Sequence, residues 1–130
     1  MREQCERHDI HLGLHTLSAV NVAEFSPYLS DAVTTYLRAN IDLANRLGCE
    51  WLVVHAGFHF SSHIEARKAA SLAHLQSAVD YAEQTGTRLL LENMNAEPDD
   101  AEVHYLGYTV AECREYFDAI ISPHLSLIHI

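Results

Sequence analysis

The chain has 130 residues, 48% of them hydrophobic, and a formal charge of -10 from 8 basic and 18 acidic residues. Length allows one domain, residues 1–130, and the apolar content excludes a disordered chain. The acidic balance argues against a nucleic-acid partner, and no apolar run approaches the roughly 20 residues of a membrane helix.

The amino-terminal MREQCERHDI is charged and has no apolar core of a secretory signal. Cys5, Cys49 and Cys113 are scattered and odd in number, without a CxxC pair. That pattern predicts reduced thiols in a cytoplasmic protein, with no disulfide framework and no thiolate zinc site.

The apolar residues then change period along the chain. Ile10–His15 alternates and predicts a short strand. Ser30 is the expected N-cap of a helix whose stripe is Val33, Tyr36, Leu37, Ile41, Ala44 and Leu47, stopped by Gly48. Trp51–His55 (WLVVH) is a continuous apolar run, the pattern of a strand buried on both faces. A second helix is expected from Ile64 to Thr85, ended by Gly86, and a third strand over Thr87–Glu92 (TRLLLE). Asn93 to Tyr108 reads as a polar loop. Thr109-Val-Ala-Glu112 is a capping-box sequence opening a helix to about Ile121, broken by Pro123. Leu125–Ile130 (LSLIHI) reads as a fourth strand.

This alternation predicts right-handed βαβ units on a parallel sheet. No glycine-rich phosphate loop follows any strand.

Three expected strands end in residues able to bind a metal: His15, His55 and Glu92. In parallel α/β folds ligands bind beyond the carboxyl ends of the strands. Strands about 4.8 Å apart let their terminal side chains meet at one ion. Each residue alone has an ordinary structural reading. Their coincidence at equivalent positions points to a divalent cation, and imidazole with carboxylate suits zinc, manganese or cobalt better than calcium. His59 reads as a donor behind the ligands, a ligand to a second metal, or a phosphate contact. Asn93 and Asn95 are candidates for bonding a substrate hydroxyl or for capping their loop. His63, His74 and His104 are expected on solvated loop or helix faces.

These residues resemble the xylose isomerase-like TIM barrels, over about residues 8–124. The carriers are HTLSAVNVA (His15–Ala23), VVHAGFH (Val53–His59), LLLENMN (Leu89–Asn95), and LGYT before the capping-box helix. Ala56 stands where the endonuclease IV branch of the family has proline. The resemblance implies an α/β fold, a partial (β/α)8 TIM barrel of about half the full number of units. It implies metal ligation by Glu92 across the family. Ligation by His15 and His55 follows only in the endonuclease-like arrangement, since histidines at such positions in isomerases and epimerases more often touch substrate.

The function so implied is a fragment of a metal-dependent sugar or sugar-phosphate isomerase/epimerase. Glu92 would be both ligand and proton-transfer base, with Mn²⁺, Co²⁺, Mg²⁺ or Zn²⁺ as cofactor. His59, Asn93 and Asn95 would face a small-molecule sugar in a homo-oligomeric parent. The alternatives are an endonuclease IV-like zinc phosphodiesterase acting on abasic DNA and a non-catalytic barrel-derived binding module. The fragment by itself is expected to be inactive. LSLIHI lacks the acid of the family's next motif, which leaves two readings: His129 is a divergent ligand, or, as the similarity to a translated sequencing adaptor favours, Leu125–Ile130 is a foreign tail. The start is expected to be internal to the barrel.

Overall fold

Ten elements follow in chain order: α1 (Arg2–Arg7), β1 (Gly13–His15), α2 (Pro27–Leu47), β2 (Trp51–Val54), β3 (Phe58–His59), α3 (Ile64–Thr85), β4 (Leu89–Glu92), β5 (His104–Tyr105), α4 (Val110–Ala119) and β6 (Leu125–Ile128). They come from a computed structural model that describes residues 2–129. β1, β2, β4 and β6 form one sheet in that order, every pairing parallel. The expected α/β half barrel is therefore the fold.

Leucine sets the register. Leu14 pairs with Leu52, Leu52 with Leu89, and Leu89 with Leu125, a row of four across the sheet. Side chains alternate along a strand, so this row and the Val54-Leu91 pair share one face. That face packs on the helices. Leu52, Val54, Leu89, Leu91 and Leu125 join Leu37 and Ile41 of α2, Leu75 and Val79 of α3, and Tyr116 of α4 in one buried cluster. The opposite face carries His15, Val53, Leu90 and Glu92, which positions the site on the side away from the helices.

One helix differs from expectation at its start. α2 begins at Pro27, after Ser26, one turn before the expected cap Ser30. Proline suits the first helical position because its missing N–H has no partner there anyway. Ser30 lies inside the first turn, and its hydroxyl meets His74 Nε2 at 2.7 Å. The Thr109 cap is present: its Oγ1 accepts from the Glu112 N–H at 3.1 Å. The Glu112 carboxylate turns to the Gly107 N–H at 3.1 Å. Gly48 and Gly86 close α2 and α3 in left-handed geometry.

Two further elements correct the sequence reading. α1 precedes the first strand, which is shorter than expected. β3 and β5 form an antiparallel ribbon, Phe58 opposite Tyr105 and His59 opposite His104, inside what reads as loop. Two residues per strand are too short for a periodicity signal. No helix of the described residues is long and apolar enough to cross a membrane.

Candidate metal centre

His15 ends β1, Glu92 ends β4, and His55 follows the last residue of β2. Each side chain leaves the carboxyl end of its strand on the helix-free face. The three meet there: Glu92 Oε2 lies 3.0 Å from His15 Nε2 and 3.0 Å from His55 Nε2. One ligand atom from each lies within 4.8 Å of the others, and no other group of three or more potential ligands is found among the described residues. The rings of His15 and His55 are tilted together, 4.8 Å between centroids.

The proton inventory bears on what this cluster holds. His15 Nδ1 lies 2.7 Å from the Thr16 carbonyl, which can only accept, so Nδ1 carries the proton. A neutral His15 then directs the lone pair of Nε2 at a carboxylate oxygen 3.0 Å away. Two acceptors face each other unless a proton or a cation stands between them. His55 is buried, and burial pushes its imidazole below the ordinary 6.5, against the pull of the Glu92 hydrogen bond and charge. The donor set therefore fits a divalent cation: two imidazole nitrogens, one with its other nitrogen fixed by a carbonyl, and one carboxylate.

The turn after His55 is held closely. Gly57 has φ of 91°, and a Cβ there would stand 2.5 Å from the Ala23 nitrogen and 2.6 Å from Asn21 Oδ1. Only glycine brings the backbone so near the loop that follows His15. Beneath the site, a Cβ on Gly13 would run into the Trp51 indole nitrogen, so the ring occupies the space that glycine leaves.

The other expected site residues lie apart from the three. His59 stands in β3, where Nδ1 donates to the Phe60 carbonyl at 2.8 Å and the ring stacks on His104 at 5.5 Å. Asn93 directly follows Glu92, and its side-chain oxygen lies 2.6 Å from His129 Nδ1. Asn95 is exposed and donates to Glu97 at 2.6 Å.

His74, expected on a solvated face, is buried. Its Nδ1 donates to the Val22 carbonyl at 2.8 Å, tying α3 to the loop after β1. Helical spacing places it between Ser71 and Ala78 on the buried side of α3, a signal the isolated histidine did not give. His104, half-buried, belongs to the ribbon, whereas His63 is exposed in the loop before α3. The sequence gives no cue for the roles of Thr16 and Asn21, because both act through loop contacts.

The sequence profile described as xylose isomerase-like TIM barrel matches residues 1–129. No curated protein matches the chain. Among solved structures, a D-tagatose 3-epimerase-like protein is 24% identical with a TM-score of 0.84, the match covering 98% of this chain and 48% of that one. The D-allulose 3-epimerase of Methylomonas sp., in complex with D-allulose, is 20% identical with a TM-score of 0.76, covering 98% and 45%. The 3-keto-D-glucoside 4-epimerase of E. coli, in its apo form, is 14% identical with a TM-score of 0.77, covering 98% and 51%. The chain thus spans about half the length of the solved structures it matches.

Proposed function

Because this chain belongs to the xylose isomerase-like TIM barrel family, we propose that it forms half of a metal-dependent sugar or sugar-phosphate isomerase/epimerase. The activity is that of the whole barrel, and these residues alone are inactive. The observation that carries the reading is the convergence of His15, His55 and Glu92 at three strand ends. The fold likeness to structures described as sugar epimerases supports it.

Glu92, His55 and His15 would hold the cation. When bound, a divalent metal polarises a substrate carbonyl and a neighbouring hydroxyl, making the hydrogen on the adjacent carbon acidic. The chain's own part is proton transfer. Glu92 Oε1 is free of the two histidine contacts, which both fall on Oε2. That leaves one oxygen to take the proton from the carbon beside the carbonyl. His55, buried and pushed toward its neutral form, would offer the lone pair of Nε2 to the cation and leave the Glu92 carboxylate unprotonated. His59, Asn93 and Asn95 are proposed to meet sugar hydroxyls around this centre. Each lies within four residues of a proposed ligand.

The experiment is epimerisation of ketoses by the complete barrel carrying these residues, with Mn²⁺ or Co²⁺ added. The expected result is activity that chelation removes and Glu92→Gln abolishes. Undiminished turnover in Glu92→Gln would exclude the role given to Glu92. The paired histidines also favour a second reading, zinc-dependent phosphodiester cleavage, because in the family resemblance both ligate only in the endonuclease-like arrangement. Chelator-sensitive cleavage of abasic DNA by the same protein would select it.

A further inference from the structure

Behind the site lies a pair of buried hydroxyls that the proposed chemistry does not use. Ser71 of α3 is fully buried, and its Oγ donates to the Ala56 carbonyl at 2.5 Å. Its one proton is thereby spent. Tyr116 of α4, 2.9 Å away, must donate to Ser71 Oγ. Burial raises the Tyr116 phenol to about 12, so it keeps that proton. On the other side of the same turn, Asn21 grips Phe58 through both ends of its amide. Oδ1 accepts from the Phe58 N–H at 2.9 Å, and Nδ2 donates to the Phe58 carbonyl at 3.1 Å.

Ala56 follows His55 directly, and Phe58 stands three residues beyond it. The turn is thus fastened at two points, from the helix layer by the hydroxyl pair and from the loop after β1 by the amide. Apolar side chains would fill the same space behind Ala56 without hydrogen bonds. A serine buried to this degree gains nothing from burial itself, so its worth lies in the carbonyl it holds.

We infer that Tyr116 and Ser71, together with Asn21, are positioning residues that set the His55 imidazole against Glu92. The inference rests on the proposed function for its purpose, and its first readout needs no metal. Tyr116→Phe removes one hydroxyl and keeps the ring. Asn21→Asp keeps the shape and removes the donor to Phe58. The His15 and His55 rings, 4.8 Å between centroids, are expected to give a nuclear Overhauser cross-peak in the full 130-residue chain.

Both variants are expected to retain the far-UV circular dichroism of the parent and lose this cross-peak. Co²⁺ affinity, read by titration, falls about tenfold, the size seen when groups behind a metal ligand are removed. A cross-peak that persists in either folded variant overturns the positioning role, even where the melting temperature falls. Absence of the cross-peak from the unmodified chain overturns it as well. An unmodified chain that keeps the cross-peak and binds no Co²⁺ contradicts the metal reading alone.

Discussion

His55 Nε2 lies 3.0 Å from Glu92 Oε2, joining the ends of two neighbouring strands through a histidine that is buried and a carboxylate that is not fully so. The pair contributes to the pH dependence of stability. Burial lowers the His55 pKa below 6.5, more than Glu92 raises it. The unfolded chain therefore binds the proton more readily than the folded one. This contribution to stability is fully present above the unfolded value and is lost as pH falls from 6.5 through the folded one. Denaturant unfolding measured from pH 7.5 down to 5 is expected to show falling stability, with a shallower fall in His55→Gln. An identical slope in the variant would assign the pH dependence to other groups.

The leucine row predicts a contrast between two positions on one face. Leu89 is fully buried at the centre of the sheet, whereas Leu127 in the outer strand is 49% exposed. Leu89→Ala is expected to cost about 2–5 kcal/mol. Leu127→Ala is expected to cost under about 1 kcal/mol, because part of its surface is already in water. Equal losses by urea titration would place the core elsewhere.

The two close glycine approaches predict local damage with separable signatures. Gly57→Ala places a methyl against the Ala23 backbone in a left-handed conformation and is expected to destabilise by about 1–3 kcal/mol. Gly13→Ala displaces the Trp51 indole, so tryptophan fluorescence should shift with it. An unchanged spectrum in Gly13→Ala would mean that the ring does not rest on this glycine. Trp51 is the single tryptophan, which makes the signal unambiguous.

Much of this arrangement is legible in the sequence, and the reasons are physical. WLVV and LLLE are long enough in apolar residues to mark buried strands, and a polar residue closing each strand is costly unless it has a partner. That reasoning reaches His55 and Glu92 directly and His15 by its parallel position. Periodicity also finds α3 to its terminal residues, Ile64 and Thr85. It misplaces the start of α2, because Ser26-Pro27 carries the start signal in proline's fixed φ and Ser30 only imitates a cap. It is blind to the β3-β5 ribbon, whose four residues pair Phe58 with Tyr105 and His59 with His104, far apart in sequence. Buried His74 was invisible for the same reason: its partners, Val22 and Ser30, sit in a distant loop and helix.

Sheet edges predict the behaviour of the polypeptide by itself. β1 and β6 are the outer strands of the four-stranded sheet. Unpaired strand edges are templates for association. Residues 1–130 prepared alone are expected to sediment above the monomer mass of 14.6 kDa. A monodisperse monomer with one cooperative unfolding transition would contradict this.

The central claim is that His15, His55 and Glu92 hold a divalent cation together, and isothermal titration with Co²⁺ tests it most directly. The account predicts one Co²⁺ per chain, with binding lost in Glu92→Gln and weakened beyond the about tenfold loss expected for a group behind a ligand when either histidine becomes alanine. Binding that survives Glu92→Gln unchanged, or no binding by the unmodified chain, would contradict it.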